Sequence, residues 1–152
     1  ASTLSEAHAG MFRHEGAHKD KHVRAHEVYS VVRDAPAPAG HYSQAVVHGG
    51  LVFVSGQLPT VPATGERLSG PIEEQTRQVL TNLAAILAAA GSGLEQVLKT
   101  TVYVSDIALW SRVNAVYAEF FGAHRPARAV VPTRDLHHGV LVEIDAIAAV
   151  PG

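Results

Sequence analysis

Two apolar runs separated only by Gly49-Gly50 restrict this chain more than any other feature. Residues 44–48 (Gln-Ala-Val-Val-His) and 51–55 (Leu-Val-Phe-Val-Ser) carry the β-branched and aromatic side chains of strands. Both glycines can take positive φ, the backbone that a two-residue hairpin turn demands. A tight antiparallel hairpin is expected, and with it a sheet rather than a helical bundle. The chain has 152 residues and no cysteine. Such a length closes a core without disulfides or a structural metal. Lacking thiols, it has no cysteine nucleophile and no Cys-ligated zinc or iron–sulfur site.

The remaining elements can be placed around that hairpin. Residues 29–33 read as a strand, ended by Asp34 and the stiff Ala35-Pro-Ala-Pro-Ala-Gly40 loop. Residues 59–70 read as a loop. A helix opens at Pro71, with Glu73 and Glu74 near the positive end of its dipole. Its stripe is Ile72, Val79, Leu80, Leu83, Ile86, Leu87 and Ala90, and Gly91 stops it. Residues 98–104 form a strand by β-branched content. Asp106 can cap a second helix with Leu109, Trp110, Val113, Tyr117, Phe120 and Phe121 on its apolar face, ending at Gly122. Residues 129–133 and 140–150 supply the last strands. The order βββαβαββ predicts an α+β fold, a six-stranded sheet with two helices on one face. The opposite face then needs either a second copy of the chain or water.

Composition narrows the function classes. A formal charge of −2 provides no general attraction to nucleic acid or anionic lipid. At 47% hydrophobic and 17% charged, the chain is that of a globular protein. No apolar run is long enough to span a membrane, and the first residues hold no apolar signal core, so a cytoplasmic location is expected. Five of the ten histidines (His8, His14, His18, His22 and His26) crowd into residues 1–27. The last four recur every four residues, a spacing at which helical neighbours chelate zinc, nickel or copper. Gly10 and Gly16 weaken such a helix, and no His-Glu-x-x-His pattern occurs. A solvated, partly disordered extension is the expectation, with no metal site and a folded domain over residues 28–152.

Three polar residues interrupt apolar surroundings. Arg128 opens the run Ala129-Val130-Val131, Glu143 lies within an aliphatic strand, and Asn114 interrupts the hydrophobic side of the second helix. An unpaired buried charge costs several kcal/mol, on the order of ~5. Two readings stay open: an internal Arg128–Glu143 ion pair beside a satisfied asparagine, or an arginine fork for a carboxylate with a carboxyl near the reacting carbon. Asp145 shares the strand face of Glu143, and spacing does not separate the two. Ser55-Gly56 ends a strand without a Gly-x-Ser-x-Gly elbow, so Ser55 is not read as a triad nucleophile. Tyr42 is either a positioned phenol or a packed aromatic, and His137-His138 fall in a turn at a possible pocket mouth.

Taken in order, these segments resemble a known family. Ala35-Pro-Ala-Pro-Ala-Gly-His-Tyr-Ser-Gln-Ala45, Phe53-Val-Ser-Gly-Gln-Leu-Pro59, Val113-Asn-Ala-Val-Tyr117, Pro126-Ala-Arg128 and Val142-Glu-Ile-Asp-Ala-Ile-Ala148 are similar to the successive motifs of the RidA/YjgF enamine/imine deaminases, also labelled L-PSP endoribonucleases. The resemblance runs from Tyr29 to Val150. It implies a chorismate-mutase-like fold, a homotrimer with sites in clefts between subunits, and no cofactor. It further implies that Arg128 grips the substrate carboxylate and Glu143 activates water. Tyr42, Ser55, Gly56 and Asn114 then shape the pocket or hold that water and the arginine.

Two departures from the family pattern stand out: Val130 where a cysteine is frequent, and His41 where a proline precedes the tyrosine. The implied activity is hydrolysis of 2-imino and 2-enamino acids, such as 2-iminopropanoate and 2-iminobutanoate, to 2-oxo acids and ammonia. Competing expectations are a deaminase of a larger enamine such as 2-aminomuconate, an RNase or translation inhibitor, and a non-catalytic carboxylate binder. The absence of a basic stripe argues against nucleic acid as a partner.

Overall fold

The computed structural model describes residues 26–29 and 32–152, so the histidine-rich extension lies outside the described residues except for His26. The strands are β1 (Glu27–Tyr29), β2 (Ala45–His48), β3 (Leu51–Gln57), β4 (Val97–Val104), β5 (Ala127–Pro132) and β6 (Val142–Ala149). Helix α1 spans Ile72–Ala89 and α2 spans Trp110–Phe121. They follow one another as βββαβαββ, the expected order.

The glycine hairpin forms as read. Ala45 pairs with Val54 and His48 with Leu51, and Gly49 and Gly50 take φ values of 59° and 79°. β1 begins earlier than expected, because Tyr29 is its last residue and not its first. Residues 30 and 31 lie outside the described residues, and from Val32 the backbone is held by the Gln44 side chain. The Gln44 Oε1 accepts the Val32 N–H, and its Nε2 donates to the Pro36 carbonyl at 2.6 Å. Pro36 and Pro38 lack the N–H that a continuing ladder would use.

The sheet order is β1-β2-β3-β6-β4-β5, with β6 antiparallel to both neighbours and β4 parallel to β5. Alternation along β6 is strict. Val142, Ile144, Ala146 and Ala148 are at most 2% exposed, whereas Glu143, Asp145, Ile147 and Ala149 are only partly covered. Buried positions of β3 (Val52, Val54) and β4 (Val97, Thr100, Val102, Val104) lie on the same face. There they meet the α1 stripe, in which Val79, Leu80, Leu83, Ile86 and Leu87 are fully buried. Both helices therefore cover one face.

Asp106 does cap the second helical segment, its Oδ1 accepting the Ala108 N–H at 2.9 Å, but a short 3-10 turn (Ile107–Leu109) precedes α2. The buried side of α2 is Val113, Val116, Tyr117 and Phe121; Phe120 is only partly covered. Buried polar side chains tie the layers together. The Gln75 Oε1 accepts the Leu141 N–H at 2.9 Å, and the Asn82 Nδ2 donates to the carbonyls of Leu58 and Thr60 at 3.1 and 2.8 Å. No described helix is long and apolar enough to cross a membrane.

Leu83 is fully buried in α1, so Leu83→Ala leaves a cavity that the layers can only partly close. A loss of about 2–5 kcal/mol is expected in urea unfolding at fixed protein concentration.

Candidate functional site

Strand register divides the candidate residues into two groups. Thr100 of β4 pairs with Arg128 on one side and with Ala146 on the other, and paired residues project from the same face. Arg128 therefore shares the helix-covered side with Thr100 and Ala146. Glu143, three residues from Ala146, projects from the opposite side. The internal Arg128–Glu143 ion pair is thereby ruled out. Nor is Arg128 a buried charge within the chain: it stands exposed on the edge strand β5.

Arg128 is nonetheless closely held. Its guanidinium carbon lies 4.4 Å from the Trp110 ring centroid and 4.7 Å from that of Tyr117. One terminal nitrogen donates to the Asn114 Oδ1 at 3.0 Å. Tyr117 is itself anchored by a 2.7 Å hydrogen bond between its hydroxyl and that of Thr100. Burial pushes the Tyr117 phenol above its usual pKa, against the nearby Arg128 charge. Ring faces attract the cation without consuming its N–H fork, which leaves donors for a planar anion. The ion pairs of the described residues are Arg77–Glu119 and Arg112–Glu73, and Arg128 enters neither. Asn114 sits beside the buried side of α2 and not within it as expected, because only there can it reach Arg128. Asn114, Tyr117, Pro126 and Arg128 line one cleft.

The second group gathers around an irregularity in β3. Val54 pairs with Ala146 and Gln57 with Ile144, so β3 holds one extra residue across Ser55-Gly56. This bulge brings the Gly56 backbone against Glu143. A Cβ at Gly56 would lie 2.6 Å from the Glu143 Oε1, closer than real Cβ contacts come. Any larger residue displaces the carboxyl. Ser55 spends its hydroxyl on the Ser43 carbonyl at 2.6 Å, and its N–H on Gln44 O at 2.9 Å. Its role here is to fix the segment that carries Tyr42. Tyr42, 52% exposed, and Gly56 line one cleft with Arg67, His137 and His138. The turn histidines thus stand where a pocket mouth was considered. His41 is exposed and does not line this cleft.

Structure also separates the two strand carboxyls. Asp145 accepts from the Thr101 N–H and from the Tyr103 hydroxyl, each at 3.2 Å. The Glu143 carboxyl makes no hydrogen bond among the described residues. Burial, then the Asp145 charge, raises its pKa, against a smaller opposite effect of His137. Tyr103 is likewise raised by burial and by Asp145. A half-buried carboxyl without fixed partners can exchange protons, whereas Asp145 is occupied. No group of three or more His, Asp or Glu side chains among the described residues could hold a metal ion.

Sequence reasoning missed the ring support of Arg128, because Trp110 and Tyr117 read as ordinary core positions. It also missed Arg67, a lone cation in a polar loop whose place beside the cleft depends on long-range folding.

A family model described as Endoribonuclease L-PSP matches residues 32–150. A RutC family protein from Pyrococcus horikoshii is 50% identical over 115 residues, covering 76% of this chain and 91% of the relative. The chloroplastic Reactive Intermediate Deaminase A of Arabidopsis thaliana is 43% identical over 114 residues, covering 75% of this chain and 61% of that protein. Among solved structures, a putative endoribonuclease from Thermotoga maritima superimposes with a TM-score of 0.78 at 48% identity, covering 82% of this chain and 98% of the other.

A raised Glu143 pKa has a measurable sign. The folded chain keeps this proton to higher pH than the unfolded chain, so stability falls as pH rises from the ordinary carboxyl range through the folded value. In a carbon-detected NMR titration Glu143 is expected to titrate above an ordinary glutamate. Asp145→Asn lowers that midpoint by removing a negative neighbour, but not fully, since burial is the larger cause.

Proposed function

On the premise that this chain belongs to the RidA/YjgF (Endoribonuclease L-PSP) family, we propose that it hydrolyses reactive 2-imino and 2-enamino acids, such as 2-iminopropanoate and 2-iminobutanoate, to 2-oxo acids and ammonia. The observation that carries this reading is the Arg128 guanidinium, fixed by Asn114 and two ring faces yet free of any carboxylate among the described residues. A rigid fork of this kind suits a substrate carboxylate bound through two parallel hydrogen bonds. The relative named Reactive Intermediate Deaminase A supports the same class of chemistry.

In this reading the enamine tautomerises to the imine, and water adds to the imine carbon. Glu143 takes a proton from that water as the C–O bond forms and the C=N electron pair moves to nitrogen. One proton delivered to that nitrogen gives the carbinolamine, and a second lets the C–N bond break, releasing ammonia. Loss of the hydroxyl proton leaves the 2-oxo acid. A carboxyl of raised pKa takes and returns a proton near neutral pH at less cost than an ordinary one, and such groups contribute roughly 10²–10⁴-fold. Tyr42 and Gly56 border the reacting centre, Gly56 by leaving room for the Glu143 carboxyl. Ser55 acts through the Ser43 carbonyl it holds.

Arg128 and Glu143 lie on opposite sides of one sheet, so a site using both requires two copies of the chain. We place Arg128 and Asn114 of one copy against Tyr42, Gly56 and Glu143 of another, in a closed homotrimer. The uncovered sheet face offers a surface for such assembly: Phe53, 43% exposed, pairs with Ile147, and Val131, 38% exposed, pairs with Tyr103. Closed rings built from one repeated heterologous contact give each copy both halves of a site.

Imines generated by an amino-acid oxidase and trapped with semicarbazide provide the assay. Wild type is expected to suppress semicarbazone formation, and Arg128→Ala to lose about 10²-fold or more in kcat/KM. No suppression by wild type with any small imino acid overturns the reading. Arg128→Ala and Glu143→Ala chains refolded together in equal amounts are expected to recover about a quarter of wild-type activity, because random assortment restores one site in four. Mixtures that stay inactive count against shared sites.

A further inference from the structure

The Tyr42–Gly56 cleft has a wall of basic side chains that hydrolysis of a simple imino acid does not use. Arg67, His137 and His138 line it together with Tyr42 and Gly56. Arg67 is set in a firmly pinned loop. Thr60 and Arg67 pair through their backbones, the Val61 N–H donates to Glu66 O at 2.7 Å, and the Leu68 N–H donates to Pro59 O at 2.9 Å. Asn82 ties the carbonyls of Leu58 and Thr60 to α1 from beneath. On the other wall the two imidazoles stack with centroids 3.8 Å apart and planes 10° from parallel. His138 reaches that position with φ at 61°, a backbone that non-glycine residues uncommonly adopt.

Arg67 carries the fixed charge of this wall, and the two imidazoles add ring nitrogens that can donate hydrogen bonds. Arg67 enters neither ion pair of the described residues. Partial desolvation, then the charges of Arg67 and His137, hold the His138 pKa below its usual value. An anion seated there would meet the Arg67 guanidinium and the imidazole N–H donors. The wall also adjoins the proposed reacting half-site, since Gly56 lines the same cleft and its backbone abuts the Glu143 carboxyl.

Building on the deaminase reading, we infer that Arg67, His137 and His138 form a subsite for a second carboxylate, so that the preferred substrates are dicarboxylic 2-imino acids. Arg128 of one copy then takes the carboxylate beside the imine carbon. The side chain runs from the reacting centre along Tyr42, and its terminal carboxylate meets the Arg67 guanidinium and the imidazole N–H donors. Arg67 is exposed, so solvent screens its contribution, and the subsite sets preference rather than absolute affinity.

Trapping assays with the imine of aspartate, the imine of glutamate and 2-iminopropanoate test this on the full chain. Wild type is expected to show a higher kcat/KM for at least one dicarboxylic imine than for 2-iminopropanoate. Arg67→Gln should lower that ratio about fivefold, and Arg67→Gln with His138→Gln about tenfold, mainly through KM. Arg67→Lys should restore part of the ratio, as a charge effect requires. A wild-type ratio below one, or a ratio unmoved by both variants, overturns the subsite while acceleration of 2-iminopropanoate leaves the deaminase reading standing. Loss of acceleration for all three imines overturns both.

Discussion

The strict alternation of β6, wedged between β3 and β4, is the constraint on which the remaining structure depends. Its four aliphatic positions face the helices and close the core. The alternate positions must then leave that layer, and they carry Glu143 and Asp145 to the other side. A slip of one residue would bury both carboxyls beneath α1 and expose Ile144 and Ala146. Core packing and the placement of the Glu143 carboxyl are thus one requirement. The burial that stabilises the helix layer also fixes the face on which that carboxyl stands.

That arrangement leaves the candidate residues in two separate groups. On one side, Arg128 is held by ring faces and an amide in place of a carboxylate, which keeps its fork available. On the other, the β3 bulge removes a side chain at Gly56 just where the Glu143 carboxyl lies. Neither group is arranged for greatest stability. An ion pair would satisfy Arg128, and an amide in place of Glu143 would remove the cost of its half-buried charge. Groups left partly unsatisfied in an otherwise well-bonded fold are the ones the proposed function gives to substrate and to a second copy.

Much of the fold was legible because it rests on local rules. Gly49-Gly50 dictates its hairpin, the α1 stripe has helical period, and Asp106 and Gly122 bound the second helical segment. Less local features were misread. β1 starts before Tyr29, and the Val32 backbone is held by Gln44, a contact across many residues. Asn114 looked like a break in an apolar face, yet it lies just outside that face, turned toward a strand not yet formed in the linear chain. Arg67 carries no local signal at all, since its importance comes from a loop pinned to α1 by Asn82.

For the candidate site, residue types and ordered motifs determined the family, the α+β order and the identities of Arg128, Glu143, Tyr42, Ser55, Gly56 and Asn114 as residues of interest. Tertiary structure decided how those residues are grouped. Period-two alternation is visible in a single strand, but the relative facing of two strands depends on the register each adopts against β4. That register is a long-range property, set only when the helices bury one face of the sheet. It turned a possible internal ion pair into two separate groups of residues on opposite sides of the same sheet.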